Sequence, residues 1–314
     1  MPIHNDATQS LMADPRVFLT DGGFETSMLY HEGLDLPSFA ACVILDKDAG
    51  RAAMTRYFNH YLDIAAESGT GFVLDTNSWR SGVHWGPVLN RSAVDMLRLT
   101  KDAVEFAKEL RANWSERISP ILINGVVGPS GDGYAPESEL DAGLAQALHA
   151  PQIEVFAREG VDMVSAITMT HAGEAIGIAR ASTAVGLPVV ISFTVETDGN
   201  LPNGQSIADA IAEVDRETDQ APIYYMINCA HPEHFQGALS ADWTARIGGV
   251  RANASRLSHA ELDVAEHLDE GDPQEFGSLH AELARLLPGL RVVGGCCGTD
   301  HRHVSHVCGA LHAT

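Results

Sequence analysis

The chain has 314 residues, 45% of them apolar and 20% charged, with a formal net charge of −22. So large a surplus of carboxylates argues against nucleic acid or an anionic membrane as a partner. The opening MPIHNDATQSLMADPR has no basic-then-apolar leader, and no run approaches the ~20 apolar residues of a membrane span, so the chain reads as cytoplasmic.

Short apolar runs rich in Val, Ile and Leu recur along the chain. They begin at Val17 (VFLTDG), Gly71 (GFVLDT), Ile121 (ILINGVVG), Val161 (VDMVSAI), Pro188 (PVVISFTV), Ile223 (IYYMINC), Ile247 (IGGVRAN) and Leu290 (LRVVGG). Near-continuous apolar runs of this length suit parallel strands buried on both faces. Between them, residues 49–69, 93–113 and 171–186 place apolar side chains every three or four positions, the pattern of amphipathic helices. Eight such units in a chain of this length predict a (β/α)8 TIM barrel, one domain spanning residues 1–314. An open doubly wound sheet is the alternative. No G-x-G-x-x-G follows the first strand, which weakens its dinucleotide-binding form. The stretch 261–275, ELDVAEHLDEGDPQE, carries seven carboxylates and no Lys or Arg. It reads as solvated surface, and as an insertion before the last strand it could form part of a lid.

Five cysteines are present: Cys42, Cys229, Cys296, Cys297 and Cys308. An odd number in a chain read as cytoplasmic gives no disulfide framework. Cys229 ends the sixth predicted strand, and Cys296 and Cys297 end the eighth. The loops after barrel strands form the active face, so these three can meet over the barrel mouth. Three sulfur ligands with one open position fit a catalytic Zn2+ site, since soft thiolates favour zinc. A vicinal Cys296–Cys297 disulfide and plain packing are the competing readings. Gly294, Gly295 and Gly298 favour ligands, because they let the backbone turn both sulfurs toward one point. Cys42 and Cys308 read as core. His231, His234, His301, His303 and His306 are rival ligands, with His231 the nearest neighbour of the site.

These motifs resemble the homocysteine S-methyltransferase family over nearly the whole chain. LTDGGFETSML (19–29) is similar to its D-G-G/A opening and NGVVGPSG (124–131) to its G-x-V-G-P motif; INC (227–229) and GGCCG (294–298) are similar to its two zinc signatures. The resemblance implies zinc held by Cys229, Cys296 and Cys297. It also implies methyl transfer from a small sulfonium or quaternary ammonium donor to a small thiol, homocysteine giving methionine, as in methionine biosynthesis. Asp21, with Gly22 and Gly23 beside it, falls where relatives hold the homocysteine amino group. Thr76 and Asn77 are polar liners, Trp79 falls where betaine-using relatives place an aromatic, and Asn228 orients the loop around Cys229. Ile167 stands where relatives carry a Glu, which leaves Glu196 as a substitute anchor or the acceptor as another small thiol. Other readings are a zinc enzyme of another reaction type, such as hydrolysis, and a non-catalytic thiol or zinc redox-responsive protein. Homo-oligomerisation is left open.

Overall fold

The computed structural model describes residues 2–134, 139–239 and 242–312. Its strands are β1 (Phe18–Leu19), β2 (Phe72–Asp75), β3 (Ile121–Val127), β4 (Met163–Met169), β5 (Val189–Phe193), β6 (Pro222–Asn228), β7 (Ile247–Ala252) and β8 (Val292–Gly295). All eight expected strands are present. Each pairs in parallel with the next, and β1 also pairs with β8, Phe18 opposite Val292 and Leu19 opposite Val293. That last pairing closes the barrel and overturns the open-sheet alternative.

The outer helices follow the expected periodicity: Asp48–Ser68, Ala93–Trp114 and Ala172–Ala184 occupy the three segments read as amphipathic. Local chemistry sets their ends. Ser92 and Asp95 cap the second of these reciprocally, and Gly69 stops the first in the left-handed region at φ 66°. The sixth crossover departs from the pattern, with a single turn, Pro232–Phe235, directly after β6.

The two larger apolar clusters fill distinct regions. One lies between helices and strands around Phe58, Phe156 and Phe193. The other fills the barrel with Phe18, Leu122, Met163, Val190, Met226 and Val292. A helix ahead of β1, Asp6–Ala13, buries Leu11 completely against this inner cluster. Its cap residue Asn5 donates from Nδ2 to the Asp162 carbonyl at 2.7 Å, just before β4. The helix therefore stoppers the barrel at the strands' starting end. Toward the other end the interior turns polar: Asp21, Asp75, Asn124, Ser165, Ser192, Asn228 and Arg251 are all buried. Among the described residues, no helix is long and apolar enough to cross a membrane.

Candidate active site

Cys229 follows β6, and Cys296 and Cys297 follow β8. Their three sulfurs lie within 4.8 Å of one another. Cys229 and Cys296 are joined as a disulfide, with Cα atoms 5.4 Å apart, and Cys297 is a free thiol. The expectation of no disulfide is corrected here, and the pairing is not the vicinal one. Strands β6 and β8 bring the two Cα atoms into ordinary disulfide range, so the convergence that suits an ion also suits this bond.

The backbone is bent to achieve this. Cys229 adopts φ 55°, a left-handed conformation that costs about 1–3 kcal/mol outside glycine. It is held by its N–H on the Arg251 carbonyl at 3.1 Å and by His259 Nε2, 2.8 Å from its own carbonyl. Thr168 is likewise left-handed at φ 67°. Asn228 fixes it, accepting from the Thr168 N–H at 3.0 Å and donating to Thr168 Oγ1 at 2.8 Å. The glycines act differently from the expectation. Only Gly298 needs its freedom, at φ 78°. Gly294 and Gly295 are needed for close approach, because added Cβ atoms would fall 2.5 Å from the Asp21 carbonyl oxygen and 2.0 Å from Thr299 Oγ1.

The three cysteines open onto a cavity of about 330 Å³. Asp21, Gly22, Gly23, Thr76, Asn77 and Trp79 line it. Asn77 Oδ1 is buried without a hydrogen-bond partner. Trp79 is anchored by its indole N–H on the Ile167 carbonyl at 3.1 Å. Ile167 itself presents an apolar wall. Asn228 and Glu196 are not in the lining. Glu196 turns to His259, 3.0 Å from Nδ1.

The acidic insertion is more than solvated surface. Leu262, Ala265, Leu268 and Asp269 close one side of the cavity, while Val264 stays 77% exposed. The five candidate histidines do not line it. His231 caps the turn after β6 through Glu233, and burial lowers its pKa to about 4. Cys42 and Cys308 are buried elsewhere, as expected. Cys42 lies 3.8 Å from the Arg80 carbonyl and Cys308 lies 2.9 Å from Ser68 Oγ.

Apart from Asp21, the charges that shape the cavity were not singled out from the sequence. Arg251, at the end of β7, donates to Asp21 at 2.5 Å, to Asp75 in a second short ion pair, and to the Gly295 carbonyl at 3.2 Å. Tyr57 adds a hydrogen bond to Asp21 at 3.1 Å and Asn124 one to Asp75 at 2.7 Å. Burial pushes Asp75 up to about 6, against the pull of Arg251. Glu25, half-buried in the lining, is pushed to about 7 by burial and by Asp21. Tyr134 reaches from the loop after β3 to place its hydroxyl 3.2 Å from Cys297 Sγ. Burial raises Cys297 to about 11, so without a nearby cation the thiol keeps its proton. The signal for Asp75 and Arg251 was available: each is a charge ending an otherwise apolar strand.

The closed (β/α)8 barrel is a fold shared with known structures. The homocysteine methyltransferase MmuM from Escherichia coli, in its oxidized form, superposes with a TM-score of 0.75 at 21% identity, covering 97% of this chain and 99% of that one. Its metallated form gives 0.69 at 21% identity, covering 96% and 97%. The homocysteine S-methyltransferase family model matches residues 18–311. The chain belongs to this family and is an S-methyltransferase.

Proposed function

We propose that the chain is a zinc-dependent S-methyltransferase that moves a methyl group from a small sulfonium or quaternary ammonium donor to a thiol, homocysteine giving methionine. The observation that carries this is the gathering of three sulfurs within 4.8 Å on a substrate-sized cavity. The donor set fits zinc: Cys229, Cys296 and Cys297 are soft ligands, and three of them leave one position for a substrate. The Cys229–Cys296 bond must be reduced before either sulfur can ligate. Bound zinc supplies the Lewis acidity that lets a thiol lose its proton near neutral pH.

The chain's own residues do the rest. Among the described residues, six carboxylates line the cavity (Asp21, Glu25, Asp75, Asp132, Asp263 and Asp269) against two guanidiniums, Arg80 and Arg251. This negative field draws in a cationic donor. Trp79 and Ile167 form an apolar wall that excludes water beside the sulfurs, and Asp21, Gly22, Gly23, Thr76 and Asn77 supply polar contacts that orient the reactants. The whole chain, 1–314, works as one barrel unit on small molecules.

The test is an assay of reduced, zinc-loaded protein with homocysteine and a panel of methylated sulfonium and ammonium donors, reading methionine. Zinc bound with no methionine from any donor would remove homocysteine as acceptor. Cys297→Ser is expected to lose bound zinc and activity together; retention of both would sink the ligand assignment.

A further inference from the structure

Arg80 follows Trp79 in the loop after β2 and lines the cavity. Its guanidinium contacts two indoles, 4.7 Å from the centroid of the Trp79 ring and 4.2 Å from that of Trp85. One terminal nitrogen donates to the Ser38 carbonyl. Its Nε is buried and has no hydrogen-bond partner. Among the described residues Arg80 forms no ion pair, although Asp132 and Glu25 are near enough to act on its charge. The other guanidinium in the cavity, Arg251, is consumed by Asp21 and Asp75.

A half-buried cation held rigidly by flat rings, in a chain with a net charge of −22, does not lack a carboxylate partner for want of supply. The fork of a guanidinium matches a carboxylate, and stacking on indoles fixes its orientation before any ligand arrives. Asn77, three residues earlier in the same loop, adds its unpartnered Oδ1, a buried acceptor suited to an N–H donor. A carboxylate acceptor and an ammonium donor belong together in the head group of an α-amino acid.

We propose that the loop after β2 is a head-group subsite in which Arg80 binds the carboxylate of an amino-acid substrate. The carboxylate can come from the thiol acceptor or from an amino-acid-derived donor. This rests on the methyl-transfer reading above.

The experiment pairs substrates with their decarboxylated analogues. The acceptor arm uses homocysteine and 3-mercaptopropylamine; the donor arm uses S-methylmethionine and (3-aminopropyl)dimethylsulfonium. Arg80→Gln is expected to lower kcat/KM by about 10- to 100-fold for the carboxylate-bearing member of one arm, and by less than about threefold for its analogue. Arg80→Lys is expected to recover part of the loss. The arm that responds identifies which substrate sits there. Equal effects on both members of both arms would overturn the subsite.

A binding measurement keeps the proposal separate from the reaction. Calorimetry on the wild-type protein is expected to show methionine binding about 10-fold or more tightly than 3-(methylthio)propylamine, with that preference lost in Arg80→Gln. Equal affinities in the wild type overturn the subsite whether or not methyl transfer is seen, and also if the Gln variant fails to fold. Preserved binding preference without any methyl transfer would instead count against the reaction.

Discussion

The Tyr134 hydroxyl donates to Cys297 Sγ across 3.2 Å, and the Tyr134 ring lies flat on His259, centroids 4.1 Å apart and planes within 7°. The loop after β3 thereby reaches over the barrel mouth to the loop after β7. His259 is itself fixed by Glu196 at one nitrogen and the Cys229 carbonyl at the other. Glu196 thus bears on the sulfur centre at two removes.

Tyr134→Phe keeps the stacked ring and removes the hydrogen bond. A thiolate without that donor holds its lone pairs at higher energy. The cobalt-substituted variant is therefore expected to show its sulfur-to-metal absorption at lower energy than the wild type. Its stability should change by no more than about 1 kcal/mol in denaturant titration. An unmoved band would mean that the phenol does not act on the ligand sulfur.

Arg251 holds two buried carboxylates that would otherwise face each other unpaired. Arg251→Met is expected to destabilise the chain by about 3–5 kcal/mol, read from urea unfolding at neutral pH. The loss should shrink in the triple variant with Asp21→Asn and Asp75→Asn, because no uncompensated charge is left. A single variant as stable as the wild type would remove the network from the account of the fold.

Glu25 is pushed from an ordinary 4.5 to about 7 in the folded chain, by burial first and then by Asp21. Its folded pKa is raised, so its contribution to stability is complete below about 4.5 and is lost as the pH rises through 7. Glu25→Gln mimics the protonated form. Thermal melts are expected to superpose at about pH 4.5 and to favour the variant at about pH 8. A variant that melts lower than the wild type at both pH values contradicts this.

His84, His231 and His280 behave in the opposite sense. Burial lowers each from an ordinary 6.5 to about 4. Depressed folded pKa values give stability that is whole above 6.5 and lost as the pH falls toward 4. Unfolding in that window is expected to take up protons. His280→Leu, which keeps an apolar contact to Phe276, should flatten the fall in Tm measured between about pH 6.5 and 4.

The fold was legible because its signals are local. Eight apolar runs, each followed by a helical pattern or an insertion, fix the strand count, and the ring closure follows from parallel pairing of neighbours. The cysteines were legible because β6 and β8 lie two apart on that ring. What sequence could not reveal is which polar side chains find each other across the barrel. Arg251 and Asp21 are 230 positions apart, and nothing in either local motif encodes their meeting. Glu196 read as a substitute anchor for the substrate, yet His259, from the loop after β7, claims it. The Cys229–Cys296 bond was missed for a different reason: the convergence of the cysteines was legible, but an odd cysteine count in a chain read as cytoplasmic argued against oxidation.

The helix Asp6–Ala13, with Leu11 seated among the inner apolar side chains, turns the barrel into a blind chamber. Among the described residues, the sulfurs are approached from the end where the strands finish, and products made there leave toward the same side. Where one reactant seats deeper than the other on that side, the deeper one enters first and its product leaves last. A surfeit of the outer reactant therefore detains the inner product, so turnover should slow when that reactant is supplied in excess.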